Sequence, residues 1–497
     1  MTSRLTTSAL ERISGDVSVP HYDRAAITAG IVHLGVGGFH RAHQAAYLDR
    51  LLEEGVEGAM EWGIVGVGVL AHDQRIVDIL NEQDGLYTMV VKHPDGSREY
   101  RVVGSIVEML LAPQDPQKII DVMAADSTRI VSLTITEGGY LLNQATGEFD
   151  PADDGIQHDL KPDVLPRTAF GLIVAALAQR RDAGQDPFTV MSCDNLPGNG
   201  DIARTTMTAF ARMKDPGLAD WMDQFVHFPN GMVDRITPAT TSDDIEALAE
   251  ATGIDDKWPV VCEPFTQWVL EDSFGQGRPA LDQAGVQLVD DVVPFELMKL
   301  RLLNAGHQVL AYLGYLSDFR YAHHAADDEL FAEFLHGYME HEAQPTLPSI
   351  PDTDLVVYRH TLLERFANPE VKDTLARLAT DGSDRLPKFL LPVIKHNLAH
   401  GGRIDHSALV VAAWARYAEG TDEGGEPIDV QDRLKEQLMS AAAAHPHDEL
   451  AFIRDRDLFD DLADNERFAS AYRTCLNQLH EGGARSAMEQ IVRTDTK

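Results

Sequence analysis

Cysteine is scarce in this sequence: among 497 residues there are only three, Cys193, Cys262 and Cys475. None of them belongs to a CxxC pair, and the sequence contains no HExxH motif. A disulfide framework and a metal site are therefore not expected, and a reducing cytosol is the expected compartment.

Long apolar runs are also missing, since no stretch of about 18 consecutive apolar residues occurs. Residues 1–13 lack the apolar centre that a signal peptide requires. We therefore expect neither a membrane span nor a secretory leader.

Basic residues are few relative to acidic ones: 42 Lys and Arg stand against 79 Asp and Glu, giving a formal net charge of −37. Such a field repels the phosphates of nucleic acids and of anionic membranes, so neither is an expected partner. The hydrophobic content of 44% is ordinary for a globular protein. The length allows two or three domains.

The first motif with a chemical meaning follows a short apolar run at residues 30–34. Glycines at the end of a strand let the backbone turn sharply and approach a pyrophosphate at a helix N-terminus. The candidate cofactor-binding residues are Gly35, Val36, Gly37, Gly38 and Phe39. His40 stands where the usual GxGxxG pattern has its third glycine, and a plain glycine turn is the alternative interpretation.

A second predicted strand, residues 62–69, precedes Asp73. An acidic side chain after the second strand of a Rossmann-type fold can hydrogen-bond the adenosine ribose and repel a 2′-phosphate. Asp73 therefore favours NAD over NADP. The alternative is a simple helix N-cap.

Polar residues follow two further predicted strands, with Glu137 after the first and Asn195 after the second. Ligands of such sheets bind beyond the carboxyl ends of strands, so both are candidate site residues. An ordinary loop carboxylate is the alternative for Glu137. Asn199 is predicted to cap a helix that starts near Asp201.

Residues 295–315 are predicted to form a buried helix interrupted by Lys299, Asn304 and His307. At about 100° per residue, Asn304 lies about 140° around the axis from Lys299, with His307 between them. A lysine that is buried in an apolar helix loses its proton easily and can act as a general base. The alternative is a lysine that reaches solvent beside two polar residues that satisfy the backbone.

Strand-like runs nearly vanish after residue 295, and helical patterns take over. We therefore predict an α/β region that is followed by a mainly α-helical second domain. In the helical part, Arg377, Arg385 and Lys388 form a basic cluster. Pairing with surface carboxylates is the alternative explanation for this cluster.

Six segments of the sequence resemble the long-chain polyol dehydrogenases, and within them the mannitol 2-dehydrogenases, and the similarity covers residues 30–391. The segments are GVGGFHRAHQAAYLD at 35–49, SLTITEGGY at 132–140, MSCDNLPGNG at 191–200, FPNGMVDRITP at 228–238, QWVLED at 267–272 and KLRLLNAGHQVLAYLG at 299–314.

The resemblance implies an α/β protein with a Rossmann-type dinucleotide-binding domain over residues 1–290 and a mainly α-helical substrate and catalytic domain over residues 291–497. It also implies metal-free, NAD(P)-dependent oxidation of a polyol to a ketose, at a site between the two domains. It implies a role for each matching residue: Lys299 as catalytic base, Asn195 and Asn304 as donors to the oxyanion, His307 as substrate-orienting residue, Glu137 on the water path for the proton, and Val233, Asp234, Arg377 and Arg385 at the polyol.

These roles agree with the chemistry, because hydride can leave a carbinol only if the hydroxyl proton leaves too. Two amides can stabilise the developing alkoxide, a task that zinc performs in other alcohol dehydrogenases. The lysine pKa must fall from about 10.4 toward about 7–8 to act near neutrality. Burial and a nearby nicotinamide cation would both lower it.

We therefore expect NAD-dependent interconversion of D-mannitol and D-fructose, carried out by a monomer. Within the family, D-arabinitol, D-sorbitol or fructuronate is the alternative substrate, and a uronate would need a cation from the basic cluster. A nucleotide-sensing binding protein is the alternative from another class, and the joint presence of the lysine, the two asparagines and the histidine argues against it.

Overall fold

The computed structural model describes residues 3–13, 15–142 and 149–495. The chain divides into two compact units, Met1–Val293 and Pro294–Lys497. The first unit contains the strands and the second is helical.

The strands of the first unit are short, and those in its largest sheet are mainly apolar. They are β1 Ser3–Arg4, β2 Val17–Ser18, β3 Ala29–Leu34, β4 Gly63–Gly68, β5 Tyr87–Lys92, β6 Arg98–Val103, β7 Ile106–Leu111, β8 Ile130–Leu133, β9 Thr189–Ser192, β10 Gly231–Asp234, β11 Ile254–Asp255, β12 Val260–Cys262, β13 Gln267–Glu271 and β14 Gln287–Val289.

The helices of this unit connect the strands. They are α1 Gly38–Ala42, α2 Gln44–Glu53, α3 Gln74–Glu82, α4 Pro116–Ala124, α5 Thr136–Gly139, α6 Asp154–Asp159, α7 Ala169–Ala183, α8 Asn199–Lys214, α9 Pro216–Phe225 and α10 Ser242–Thr252.

The largest sheet has five parallel strands in the order β7-β4-β3-β8-β9. Smaller sheets have the orders β12-β5-β6-β2, β10-β13-β14 and β1-β11. Because the strands of the largest sheet are parallel, their carboxyl ends meet at one edge. The predicted site residues of the first unit that follow β3, β4, β8 and β9 therefore lie along this edge.

Both faces of the parallel sheet are buried, which explains why its strands are apolar rather than alternating. Ile31 pairs with Ile64 and Ile130 and contributes to the core on one face, with α2. Val32 pairs with Val65 and contributes to the opposite core, with α4, α7 and α8. This doubly covered sheet confirms the predicted Rossmann-type domain.

The second unit consists of helices of varied length. They are α11 Val293–Met298, α12 Ala305–Leu316, α13 Ala322–Ala326, α14 Glu329–Gly337, α15 Leu355–Phe366, α16 Leu375–Ala379, α17 Gly382–Phe389, α18 Leu391–His400, α19 Asp405–Ala418, α20 Lys435–Ala443, α21 Arg456–Phe459 and α22 Glu466–Asp495, of which α11 begins at the boundary between the units.

Helix α12 lies at the centre of this unit and packs against α14, α16, α19 and α22. Its side chains Leu310, Tyr312 and Leu313 are fully buried. A helix that is apolar on every side must be surrounded by others. The predicted helical character of the C-terminal domain is therefore confirmed.

Candidate active site

The glycine turn after β3, residues 35–38, begins at a position that only glycine can occupy. Gly35 has a φ of +95°, and a Cβ on it would lie 2.2 Å from the carbonyl oxygen of Thr134. The Thr134 hydroxyl also donates to the carbonyl oxygen of Gly35 at 2.6 Å. Only glycine fits at this position, because any side chain would meet backbone that cannot move.

Gly37 differs from Gly35, because a Cβ on it would meet nothing closer than the Gly35 carbonyl oxygen at 3.9 Å. The space above Gly37, at the start of α1, is open. The turn thus offers a bare backbone and an open cradle, which fits the pyrophosphate of a dinucleotide.

His40 fills the place of the missing third glycine by stacking on a second histidine. Its ring lies 3.4 Å from that of His33 on β3, with an angle of 14° between the planes. Burial lowers the pKa of His33 to about 3 and that of His40 well below its ordinary value. The helix therefore packs on the strand through two neutral rings instead of through a glycine.

Asp73 closes the turn that follows β4. Its Oδ2 accepts hydrogen bonds from the backbone N–H groups of Val69 and Leu70, each at 2.8 Å. Its Oδ1 lies 3.6 Å from Nε2 of the exposed His72. Oδ2 thus stabilises the turn. A hydrogen bond from the ribose to Oδ1 stays a prediction.

Asp194 joins the two strand ends that carry Glu137 and Asn195, and the sequence analysis missed it. Its carboxylate accepts from the N–H groups of Ile135 and Thr136 at 3.0 and 2.8 Å. Burial raises the pKa of Asp194, and the nearby charge of Glu137 contributes to the rise. The exposed Glu137 and Asn195 are held at neighbouring positions of one edge. The only sequence signal was the position of Asp194 directly beside Asn195.

The prediction that Asn199 caps α8 is wrong. Its side chain instead donates to the carbonyl oxygens of Asp194 at 3.0 Å and Gly231 at 2.8 Å, and it accepts from the Gly231 N–H at 2.9 Å. The Asn230 side chain accepts from the N–H of Asp201 near the start of α8 at 3.0 Å. The cap at the start of α8 thus comes from Asn230, which directly precedes β10 and is distant from α8 in sequence.

Val233 and Asp234 lie on β10, the strand that Asn199 anchors, and both are buried. Val233 pairs with Trp268 of β13 across an antiparallel ladder. Two strands and one asparagine thus fix both residues, and their role at a polyol stays a prediction.

The predicted helix over residues 295–315 is present, but it is not α-helical throughout. A π-helical segment, Lys299–Asn304, separates α11 from α12, and the Ala305 N–H donates to the Leu300 carbonyl oxygen five residues earlier. We call the continuous stretch 293–316 the lysine helix. Lys299, at the first position of the π segment, has only 6% of its surface exposed.

The π segment corrects the predicted arrangement of Lys299 and Asn304. A π turn contains about one residue more than an α turn, so residues five apart are separated by about 30–50° instead of about 140°. The π segment therefore reduces the angle expected between Lys299 and Asn304. The predicted angle assumed a constant α-helical rotation, which does not apply within the π segment.

His307 lies on α12, three residues beyond Asn304, and its ring contacts that of Phe366 with 4.5 Å between centroids. Glu296 lies three residues before Lys299 and is 8% exposed. A buried carboxylate one turn from a buried amine is a further candidate for the site. The sequence analysis missed it, although it is a second ionisable residue in the same apolar run.

The basic cluster is divided by the structure. Arg377 of α16 pairs with Asp373, with 2.6 Å between its Nε and the Asp373 Oδ1. Arg385 of α17 donates to the carbonyl oxygen of Leu378 at 2.9 Å, whereas Lys388 is exposed. Helix α16 packs on α12 and α17 packs on the π segment, so both arginines belong to helices that contact the lysine helix.

Two features of the described residues bear on other classes of protein. Within residues 3–13, 15–142 and 149–495, no three His, Cys, Asp or Glu side chains are grouped as metal ligands would be. Over the same residues, no helix combines the length and the apolar character that crossing a bilayer requires.

Comparison with known proteins identifies relatives over the whole chain. Residues 29–283 match the mannitol dehydrogenase Rossmann domain, and residues 291–480 match the mannitol dehydrogenase C-terminal domain. Mannitol 2-dehydrogenases from Pyricularia oryzae and Emericella nidulans are 43% and 42% identical, and each alignment covers 99% of both chains.

Two solved structures share this architecture. One is the Pseudomonas fluorescens mannitol 2-dehydrogenase in a ternary complex with NAD and D-mannitol, with a TM-score of 0.86, 42% identity and coverage of 99% of this chain and 100% of that one. The other is a substrate-free D-sorbitol dehydrogenase, with a TM-score of 0.92, 36% identity and coverage of 97% and 100%.

Proposed function

Because the chain belongs to the mannitol dehydrogenase family and is an NAD-dependent polyol dehydrogenase, we propose that it interconverts D-mannitol and D-fructose by hydride transfer, with a lysine general base and no metal. The observation that carries the proposal is the buried Lys299 at the start of a π-helical segment that ends at Asn304.

The proposal divides the work between residues 1–290, which hold the dinucleotide, and residues 291–497, which carry the base and substrate contacts. NAD, when bound, supplies the hydride acceptor. Residues 35–39 would hold its pyrophosphate, because Gly35 and Gly37 leave the backbone bare. Asp73 would accept from the ribose and disfavour a 2′-phosphate.

Lys299 would accept the proton of the reacting hydroxyl. Its burial supports this role, because a charged amine loses hydration inside the protein and the neutral form is favoured. In the reverse direction the same ammonium would return the proton to the ketose oxygen. Glu137, exposed at the edge of the parallel sheet, would exchange that proton with water.

Asn195 and Asn304 would donate hydrogen bonds to the oxygen on which negative charge develops. Amide donors suit this task, because they stabilise an alkoxide without giving up a proton. His307 would orient the substrate, and its ring is held by contact with Phe366. The proposal requires no metal for any of these steps.

Val233, Asp234, Arg377 and Arg385 would hold the remaining hydroxyl groups of the substrate. A polyol needs both donors and acceptors, and this set supplies guanidinium and carboxylate groups. The pairing of Arg377 with Asp373 favours an uncharged polyol over a uronate, because the positive charge is already compensated. D-Arabinitol and D-sorbitol are uncharged and remain the nearest alternatives.

Steady-state rates with a substrate panel test the proposal. The panel contains D-mannitol, D-arabinitol, D-sorbitol, D-fructose and fructuronate, each with both nucleotides, NAD(H) and NADP(H). We expect the highest kcat/KM for D-mannitol among the polyols and for D-fructose over fructuronate, with NAD(H) preferred. A preference for fructuronate, or no turnover of any polyol, would overturn the proposal.

Asp73→Ala tests whether this residue causes the preference for NAD(H) over NADP(H) that the panel measures. Removing the carboxylate should reduce the preference for NAD over NADP by about tenfold, since a repulsive charge is lost. Asp78→Ala, on the next turn of α3, is the matched control and should leave the preference unchanged. An unchanged preference in Asp73→Ala would remove Asp73 from the cofactor site.

A further inference from the structure

Asp373 and Arg377 form a two-bond ion pair at the start of α16. The Arg377 Nε donates to Asp373 Oδ1 at 2.6 Å, and its Nη2 donates to Oδ2. The Asp373 side chain is 10% exposed, whereas that of Arg377 is 60% exposed. The carboxylate is therefore the fixed member of the pair and the guanidinium the outward one.

The backbone around Asp373 is fixed on both sides. Its carbonyl oxygen accepts from the Ala322 N–H at 2.9 Å, and Thr374 forms a β-bridge with Tyr321. The Thr374 hydroxyl caps α16 by accepting from the Arg377 N–H at 3.3 Å. A carboxylate held in this way orients the guanidinium, because a two-bond pair allows one relative geometry.

The Asp373 carboxylate also compensates the positive charge of Arg377, to which the carboxylate of a uronate would bind. The hydrogen bond to Asp373 raises the pKa of Arg377, so the guanidinium stays charged and stays paired. Arg385, the neighbouring cation, donates to the carbonyl oxygens of Arg377 and Leu378. Its charge is thus partly engaged by the C-terminal turn of α16.

We infer that Asp373 is a specificity-determining residue that restricts the substrate site to uncharged polyols and ketoses. It occupies one edge of the Arg377 guanidinium and leaves the other donors for hydroxyl groups. It also places a negative charge where the carboxylate of an acid sugar would have to bind, and like charges in contact exclude such a ligand. The inference rests on the proposed function, because it needs Arg377 at the substrate.

Asp373→Asn is the direct test, since it removes the charge and keeps the shape. The ratio of kcat/KM for fructuronate to that for D-fructose should rise more than about tenfold, while kcat for D-mannitol changes little and its KM rises a fewfold. Glu489→Gln, which breaks the exposed Arg493–Glu489 pair at the same spacing, is the matched control and should leave the ratio unchanged.

Two further variants separate charge from structure. Asp373→Glu keeps the charge and should keep the preference for uncharged substrates. Asp373→Asn combined with Arg377→Leu should lose the gained activity on fructuronate, because the released guanidinium is gone. A ratio that stays unchanged in Asp373→Asn, or that persists without Arg377, overturns the inference.

Inhibition of the unaltered enzyme by D-mannonate, the carboxylate counterpart of mannitol, tests the inference without any variant. We expect an inhibition constant more than about tenfold above the KM for D-mannitol, and tighter inhibition would contradict the role of Asp373. If the unaltered enzyme turns over no polyol, the proposed function itself fails. If the unaltered enzyme prefers polyols but Asp373→Asn leaves the ratio of kcat/KM for fructuronate to that for D-fructose unchanged, the inference fails and the proposed function stands.

Discussion

The glycine turn of the first unit and the lysine helix of the second differ in how the sequence specifies them. At Gly35, a positive φ and a backbone oxygen 2.2 Å from any Cβ allow only glycine, so residue type and conformation correspond directly. At Lys299, no residue type marks the π segment, and the apolar pattern is that of an ordinary helix.

The difference teaches that a sequence indicates strict local requirements better than it indicates the phase of a helix. One residue more per turn reduces the angle between two polar side chains five residues apart without changing either of them. π-Helical turns occur often at functional sites. The buried amine at this one agrees with that tendency.

The largest expected effect comes from Lys299→Ala, which changes the lysine helix and leaves the glycine turn untouched. The rate of D-mannitol oxidation near neutral pH should fall about 10³-fold, the contribution of a general base. The Kd for NAD, measured by titration calorimetry, should stay within about twofold. Lys395→Ala removes an exposed lysine of α18 and is the matched control, with expected activity near that of the unaltered enzyme.

A smaller effect is expected when the glycine turn is changed and the lysine helix is kept. Gly35→Ala should lower the unfolding free energy by about 1–3 kcal/mol, because its Cβ meets the Thr134 carbonyl oxygen. Gly37→Ala meets no such contact, so it should keep the unfolding free energy and weaken NAD binding about tenfold or more. Chemical denaturation and calorimetry measure both. If the two variants lose the same unfolding free energy and the same affinity for NAD, the separate roles assigned to Gly35 and Gly37 are contradicted.

The smallest expected effect concerns a buried histidine in the second unit. His406 lies 3.1 Å from Glu342 and 3.2 Å from Asp495, which also pairs with Arg403. Burial alone would lower the pKa of His406, but the two carboxylates outweigh burial and raise it. Its stabilising contribution is therefore complete below about pH 6.5 and is lost as pH rises through the folded-state value.

The histidine pair of the first unit should lower the stability at acid pH, whereas His406 raises it there. His33 and His40 stay neutral in the folded state, whereas the unfolded chain takes up protons below about pH 6.5. Each histidine should thus cost about 1.4 kcal/mol per pH unit on the acid side. Thermal unfolding from pH 5 to 10 measures both effects. His406→Asn should reduce the pH dependence of the unfolding temperature only on the alkaline side. The control His447→Asn should leave the pH dependence unchanged on both sides.

Much of the fold could be predicted, because strands buried on both faces are mainly apolar and most residues of α12 are apolar and buried. The glycine turn and the strand ends carrying Glu137 and Asn195 were also evident, since each directly follows an apolar run.

The residues that were missed act through partners distant in sequence. Asp194 holds the backbone at Ile135 and Thr136, and the cap of α8 comes from Asn230 rather than Asn199. Spacing along a chain does not reveal such pairings, since they exist only after the strands and helices have packed.

The central claim, that the Lys299 amine accepts the substrate proton, is tested most directly by the pH dependence of kcat/KM for D-mannitol oxidation. We expect the rate of the unaltered enzyme to rise with pH as one group loses its proton, and this rise to be absent in Lys299→Ala. Added methylamine should restore part of the rate. If Lys299→Ala keeps the same rise with the same midpoint, another group is the base and the account is contradicted.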